Sequence, residues 1–126
     1  MNAYLITVAD APGVAARLFT AAAKRGVNVM PAYGLADGRT GLIAVGSDDE
    51  AGLKAAIADA GLTATAVEMV VTELEDRPGT GADLFSRIAA AGVDLSIAVP
   101  IGMSGDKVQI GLGAKDAAAL KRALGM

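Results

Sequence analysis

Two short segments combine residue types that could hold a small charged molecule: Asp10-Ala11-Pro12-Gly13-Val14 and Asp76-Arg77-Pro78-Gly79-Thr80. A turn that opens a helix leaves backbone N–H groups without partners and a partial positive charge, a seat for a carboxylate. The aspartate ahead of each turn supplies a negative group for an ammonium. A free α-amino acid carries both ends. Asn28, one residue into the strand expected next, can both donate and accept hydrogen bonds, and Asp94 holds the corresponding later place. A single D-x-P-G segment is first of all a helix-starting turn, and an Asn at the start of a strand is unremarkable.

Most other chemistries are excluded by composition. The 126 residues include no Cys and no His, which removes disulfides, thiol nucleophiles, imidazole acid–base catalysis and Cys- or His-bearing metal sites. No metal site and no cofactor is expected. Asp48, Asp49 and Glu50 cluster at an expected helix start, where acidic residues are favourable, so they read as capping groups. No nucleophile–base pair can be assembled, and the reading is of a protein that is not an enzyme.

Eleven basic and fourteen acidic side chains give a net charge of −3, with pI near 4.8, against a nucleic-acid surface. The strand aromatics are only Tyr4 and Tyr33, too few for a base-stacking platform. Mean hydropathy is +0.47, but the longest clean apolar stretch, 97–103, is broken by Pro100 and Gly102, so no membrane span is expected. Asp10 interrupts any apolar leader at the start. The expectation is a soluble cytoplasmic protein, 53% hydrophobic and able to bury a core.

The elements that must position these turns come in two copies. Asp10-Ala11-Pro12-Gly13 recurs as Asp76-Arg77-Pro78-Gly79, an offset of 66 (76 − 10). The same offset carries Leu18-Phe19 onto Leu84-Phe85 and Gly26-Val27-Asn28-Val29 onto Gly92-Val93-Asp94-Leu95. An offset of 67 (116 − 49) then matches Asp49, Leu53 and Lys54 with Asp116, Leu120 and Lys121. Such self-similarity marks a repeated structural unit.

In the first copy, 4–8 reads as a strand, followed by a helix with Pro12 in its first turn, an apolar stripe from Leu18 through Ala22, and Gly26 as its stop. Segments 27–33 and 41–45 read as strands joined by Asp37-Gly38. Ser47 and Glu50 match a capping box for a second helix with stripe Leu53, Ala56, Ile57 and Ala60, and 62–68 reads as a fourth strand. In the second copy the strands are 69–74, 93–99 and 107–112, the last two around Ser104-Gly105. Its helices are 78–91, with stripe Leu84, Ile88 and Ala91, and 116–124. The fold class is α+β: two ferredoxin-like β-α-β-β-α-β units, 1–68 and 69–126, with antiparallel sheets covered on one face and the second lacking its last strand.

A strand, D-x-P-G, a helix carrying Leu-Phe, then Gly-Val-Asn-Val or Gly-Val-Asp-Leu resembles a tandem pair of ACT domains, the small amino-acid-sensing regulatory modules. The resemblance covers nearly the whole chain. It implies side-by-side pairing of units into a larger sheet with an effector bound at their interface. In ACT domains that bind serine, the position before x-Pro-Gly and the Asn after Gly-Val contact the ligand, which are Asp10, Asp76, Asn28 and Asp94 here. Two classes of function follow: a sensor of a free amino acid, and a stand-alone regulatory subunit that docks on an amino-acid biosynthetic enzyme.

Three further expectations go with this reading. The small units and the missing strand point to a homo-oligomer, a dimer in the simplest case. Phe19 and Phe85 are expected inside, at matching places. A site joining Asp76 with Asn28, one carboxylate beside a neutral amide and near Arg77, is expected to bind more strongly than one joining Asp10 with Asp94.

Overall fold

The computed structural model describes residues 1–126. Its ten elements are β1 (Asn2–Ala9), α1 (Val14–Lys24), β2 (Ala32–Ala36), β3 (Thr40–Val45), α2 (Glu50–Asp59), β4 (Thr65–Glu75), α3 (Thr80–Ala90), β5 (Leu95–Ser104), β6 (Lys107–Ala114) and α4 (Ala117–Ala123). The chain divides into two compact units, Met1–Ala66 and Val67–Met126. The fold class is α+β, with two copies of the β-α-β-β-α plan. None of the helices is long and apolar enough to cross a membrane.

In the first unit β3 lies between β1 and β2, antiparallel to both. The register pairs Tyr4 with Val45 and Ile6 with Ile43, so period-2 alternation turns these four side chains to one face. Leu18 and Ala22, one helical turn apart on α1, close over that face together with Leu53, Ala56 and Ile57 of α2. Both helices therefore cover the same side of the sheet. In the second unit β6 lies between β4 and β5. Val70 pairs with Leu112, and Leu84 and Ile88 of α3 with Leu120 of α4 complete that core.

Several expected boundaries move. Segment 27–33 forms no strand at its start, because Pro31 has no N–H to give a ladder. The chain there is instead held by Met30 N–H to the Gly46 carbonyl (2.9 Å) and Gly46 N–H to the Pro31 carbonyl (2.9 Å), and β2 begins at Ala32. The expected strands 62–68 and 69–74 are one continuous strand, β4, and the division between units falls inside it. The helices α1 and α3 begin after their glycines, so Pro12 and Pro78 stand in the preceding turns rather than in the first helical turn. The strand expected over 93–99 runs on to Ser104 as β5, with register irregularities on either side of Ile97–Pro100, and Gly105-Asp106 forms its turn. Ala91 is exposed at the end of α3.

The capping box is also replaced. Asp49, not Ser47, caps α2, accepting from Gly52 N–H at 2.9 Å, and Glu50 accepts from the Tyr4 hydroxyl instead. Asp116 caps α4 in the same way through Ala119 N–H at 2.9 Å.

Phe19 and Phe85 do occupy matching places, each on the first helix of its unit, but each is 43% exposed. Leu18 with Ala22 and Leu84 with Ile88 take the inward positions, and the next residue along a helix is turned about 100° away from them. Leu18→Ala or Leu84→Ala should therefore cost about 2–5 kcal/mol in urea denaturation. Phe19→Ala and Phe85→Ala should each cost less than about 1 kcal/mol, as expected for half-exposed positions. Equal losses for the Leu and Phe variants would contradict this helix phasing.

Candidate ligand-binding site

The first turn begins where β1 leaves its ladder. Ala9 pairs with Thr40, and the Asp10 N–H then donates to the Arg39 carbonyl at 2.9 Å. The chain reverses at Pro12 and Gly13, with Gly13 at φ 92, a region that L-residues with a Cβ rarely adopt. Helix α1 starts immediately afterwards with no side-chain cap. Its first intrahelical bond is donated by Arg17 to Gly13 (3.0 Å), so the N–H groups of Val14, Ala15 and Ala16 precede any intrahelical acceptor.

An open cleft of about 660 Å³ adjoins this turn, lined by Ala11, Pro12, Gly13, Val14 and Arg17, with Thr7 and Thr63 among its polar residues. Arg17 takes part in none of the ion pairs, which are Arg25–Asp59, Arg77–Glu75 and Lys121–Glu68. Asp10 and Val14 line a second groove of about 230 Å³ with Leu35 and Leu42. Helix-start amides, a free guanidinium and a nearby free carboxylate are the groups that recognise the two charged ends of an amino acid.

The second turn repeats the backbone. Asp76 N–H donates to the Asp106 carbonyl (3.1 Å), Gly79 has φ 94, and Asp83 N–H donates to the Gly79 carbonyl (3.0 Å). Its side chains differ. The Thr80 hydroxyl donates to the carbonyls of Glu75 (2.8 Å) and Arg77 (3.1 Å), so it is committed to holding the turn. Arg77 pairs with Glu75 at 2.7 Å, which lowers the Glu75 pKa and raises that of Arg77. Asp83 puts a negative charge in the first turn of α3, at the place where α1 has Arg17.

Asn28 is exposed and lines a separate cleft of about 380 Å³ with Met30, Ser47, Asp48 and Asp49. Within the first unit, the turn after Asp10 and Asn28 thus border different clefts. Asp94 is exposed just before β5. Two groups escaped the sequence reading: Arg17, and Ser47 as a tether to Asn28. Arg17 could have been found, because offset 66 sets it against Asp83, a charge reversal one helical turn past the repeated glycine.

No family model matches the sequence, and no curated protein matches it. Solved structures do match. A protein from Bacteroides thetaiotaomicron has a TM-score of 0.80 at 14% identity, covering 98% of this chain and 85% of that one. The ligand-free regulatory subunit of aspartate kinase from Thermus thermophilus has a TM-score of 0.63 at 22% identity, covering 98% and 89%. A structure of aspartokinase alpha and beta subunits matches with TM-score 0.63 at 18% identity, covering 99% and 93%. The fold is of the tandem ACT type. In particular, it is the fold of the regulatory subunits of aspartate kinase.

On β1, Tyr4 ties the sheet to the start of α2. It is 5% exposed and donates its hydroxyl to Glu50 at 2.9 Å. Burial first, and the hydrogen bond to Glu50 second, raise its pKa above the ordinary 10.0. Because the folded pKa is raised, the stability that neutral Tyr4 confers is whole below pH 10.0 and is lost as pH rises through the folded pKa. Urea denaturation at stepped alkaline pH should show wild-type stability falling above that point more steeply than Tyr4→Phe. Parallel curves would show that Tyr4 ionises as it does in the unfolded chain.

Proposed function

We propose that this chain is a non-catalytic, cytoplasmic regulatory protein that binds a free amino acid where its D-x-P-G turns meet Asn28 or Asp94 in paired units. The ligand set comprises Asp10, Ala11, Pro12, Gly13, Val14 and Asn28 from the first copy, with Asp76, Arg77, Pro78, Gly79, Thr80 and Asp94 from the second. The observation that carries this reading is the open cleft at the first turn, where uncapped helix amides and the unpaired Arg17 lie together. The amides and Arg17 take the ligand carboxylate, and Asp10 takes its ammonium. Regulatory subunits of aspartate kinase share the fold, which supports a regulatory role.

The side chains of the two turns favour the opposite order of affinity to that expected from sequence. Asp83 competes with a ligand carboxylate for the start of α3, and Arg77 is already engaged by Glu75. The turn after Asp10 is therefore the stronger carboxylate seat. A thermal-shift screen of the twenty amino acids should give a specific hit. Calorimetry should then show Asp10→Ala and Arg17→Ala each weakening it by about tenfold or more, the loss of one charge-assisted hydrogen bond. Asp76→Ala should have the smaller effect. No thermal shift with any amino acid, or a loss confined to Asp76→Ala, would contradict the assignment.

A second reading, docking on a biosynthetic enzyme, is favoured by the exposed Phe19 and Phe85. Each lies among small residues on an uncharged helix face, with Ala16, Thr20 and Ala23 in one copy and Ala82, Ser86 and Ala89 in the other. Large apolar side chains exposed at repeated positions mark contact surfaces, and the same surfaces suit a second copy. Light scattering should report about twice the 12.5 kDa chain mass. Phe19→Ser with Phe85→Ser should shift that mass towards the monomer. A wild-type monomer at tens of micromolar protein would contradict self-association.

A further inference from the structure

Asn28 lies in a stretch, 27–31, that belongs to no strand, so its ligand contact depends on whatever else fixes its backbone. Resting on the amino-acid-binding reading above, we infer that Ser47 is the positioning residue that holds Asn28 in place for the ligand. Ser47 is 2% exposed, the buried polar side chain of the chain. Its hydroxyl donates to the Asn28 carbonyl at 2.7 Å and accepts from the Asp49 N–H at 3.1 Å. Asp49 in turn caps α2 through Gly52. A Cβ at Gly52 would approach an Asp49 carboxylate oxygen to 2.3 Å and Val27 Cγ2 to 2.6 Å, so the first turn of α2 is packed against the stretch that carries Asn28. The start of α2, Ser47 and Asn28 form one hydrogen-bonded line.

The second copy shows what the unit is like without this tether. An offset of 67 sets Gly46 against Gly113, Ser47 against Ala114 and Asp49 against Asp116. Asp116 still caps its helix and Ala114 is still buried, but there is no hydroxyl to reach the carbonyl of Asp94. The tether therefore occurs in the copy that carries an amide at the ligand position and is missing from the copy that carries a carboxylate. The helix cap does not need it. Its remaining use is to set Asn28.

The test compares wild type, S47A and S47T in the full chain, titrated with each of the twenty amino acids by calorimetry. Nitrogen-15 NMR of the Asn28 side-chain amide and hydrogen exchange at Met30 are recorded without any amino acid present. S47A should keep its helices, weaken amino-acid binding at the site that includes Asn28 by about fivefold or more, shift the Asn28 amide signal and speed exchange at Met30. S47T, which restores a hydroxyl, should recover all three. Should S47A unfold, S47C, with a weaker donor, serves in the same comparison. Wild-type affinity and an unmoved Asn28 amide in the variant would overturn the inference. A wild type that binds none of the twenty would overturn the binding reading instead, and the ligand-free signals would still decide whether Ser47 fixes Asn28.

Discussion

A left-handed glycine between the first strand and the first helix is the constraint on which each unit depends. Gly13 and Gly79 hold φ 92 and 94, a conformation that costs a residue with a Cβ about 1–2 kcal/mol. The reversal lets the strand end on a hydrogen bond to the facing hairpin, Asp10 to Arg39 and Asp76 to Asp106, and the helix start directly after it. Starting there sets the phase that turns Leu18 and Ala22, or Leu84 and Ile88, onto the sheet. It also leaves the helix without a side-chain cap. The core and the free amides are two consequences of one backbone geometry.

The repeat separates what the fold needs from what the site needs. Gly, Pro, the paired Leu and the Asp caps occur in both copies, and both share the strand-end bond and the first intrahelical bond at the turn. The side chains facing outward at the turn do not match: Val14 stands against Thr80, Arg17 against Asp83 and Ala11 against Arg77. In the first copy the helix start is bare and Arg17 is unpaired. In the second its hydroxyl and its arginine are occupied by the turn itself, and an acidic residue sits at the helix start.

The order of elements was legible from local signals, because each is punctuated by a residue with a physical reason to be there. Gly26 and Gly61 end helices, Asp37-Gly38 turns the hairpin, and Leu53, Ala56 and Ile57 recur at helical spacing and are buried. What stayed hidden depended on long-range contacts. Phe19 looked like core by type, yet the inward positions were already filled by Leu18 and Ala22. Ser47 and Glu50 matched a capping pattern, but Ser47 was drawn to the Asn28 carbonyl and Glu50 to Tyr4, 46 residues away. Strand β2 slipped past Pro31 because a proline cannot donate to a ladder. The turns were legible as candidate sites, whereas the charge reversal that tells them apart acquires meaning only once Arg17 is seen beside the cleft.

The central claim is that the uncapped start of α1 is the seat of an amino-acid carboxylate. Nitrogen-15 NMR of the ligand-free protein, titrated with the amino acids one at a time, tests it most directly. The account predicts that one amino acid moves the backbone amide signals of Gly13, Val14 and Ala15, saturably and with a common affinity. Saturable shifts confined to Thr80–Asp83, or no shift at the start of α1 with any of the twenty, would contradict it.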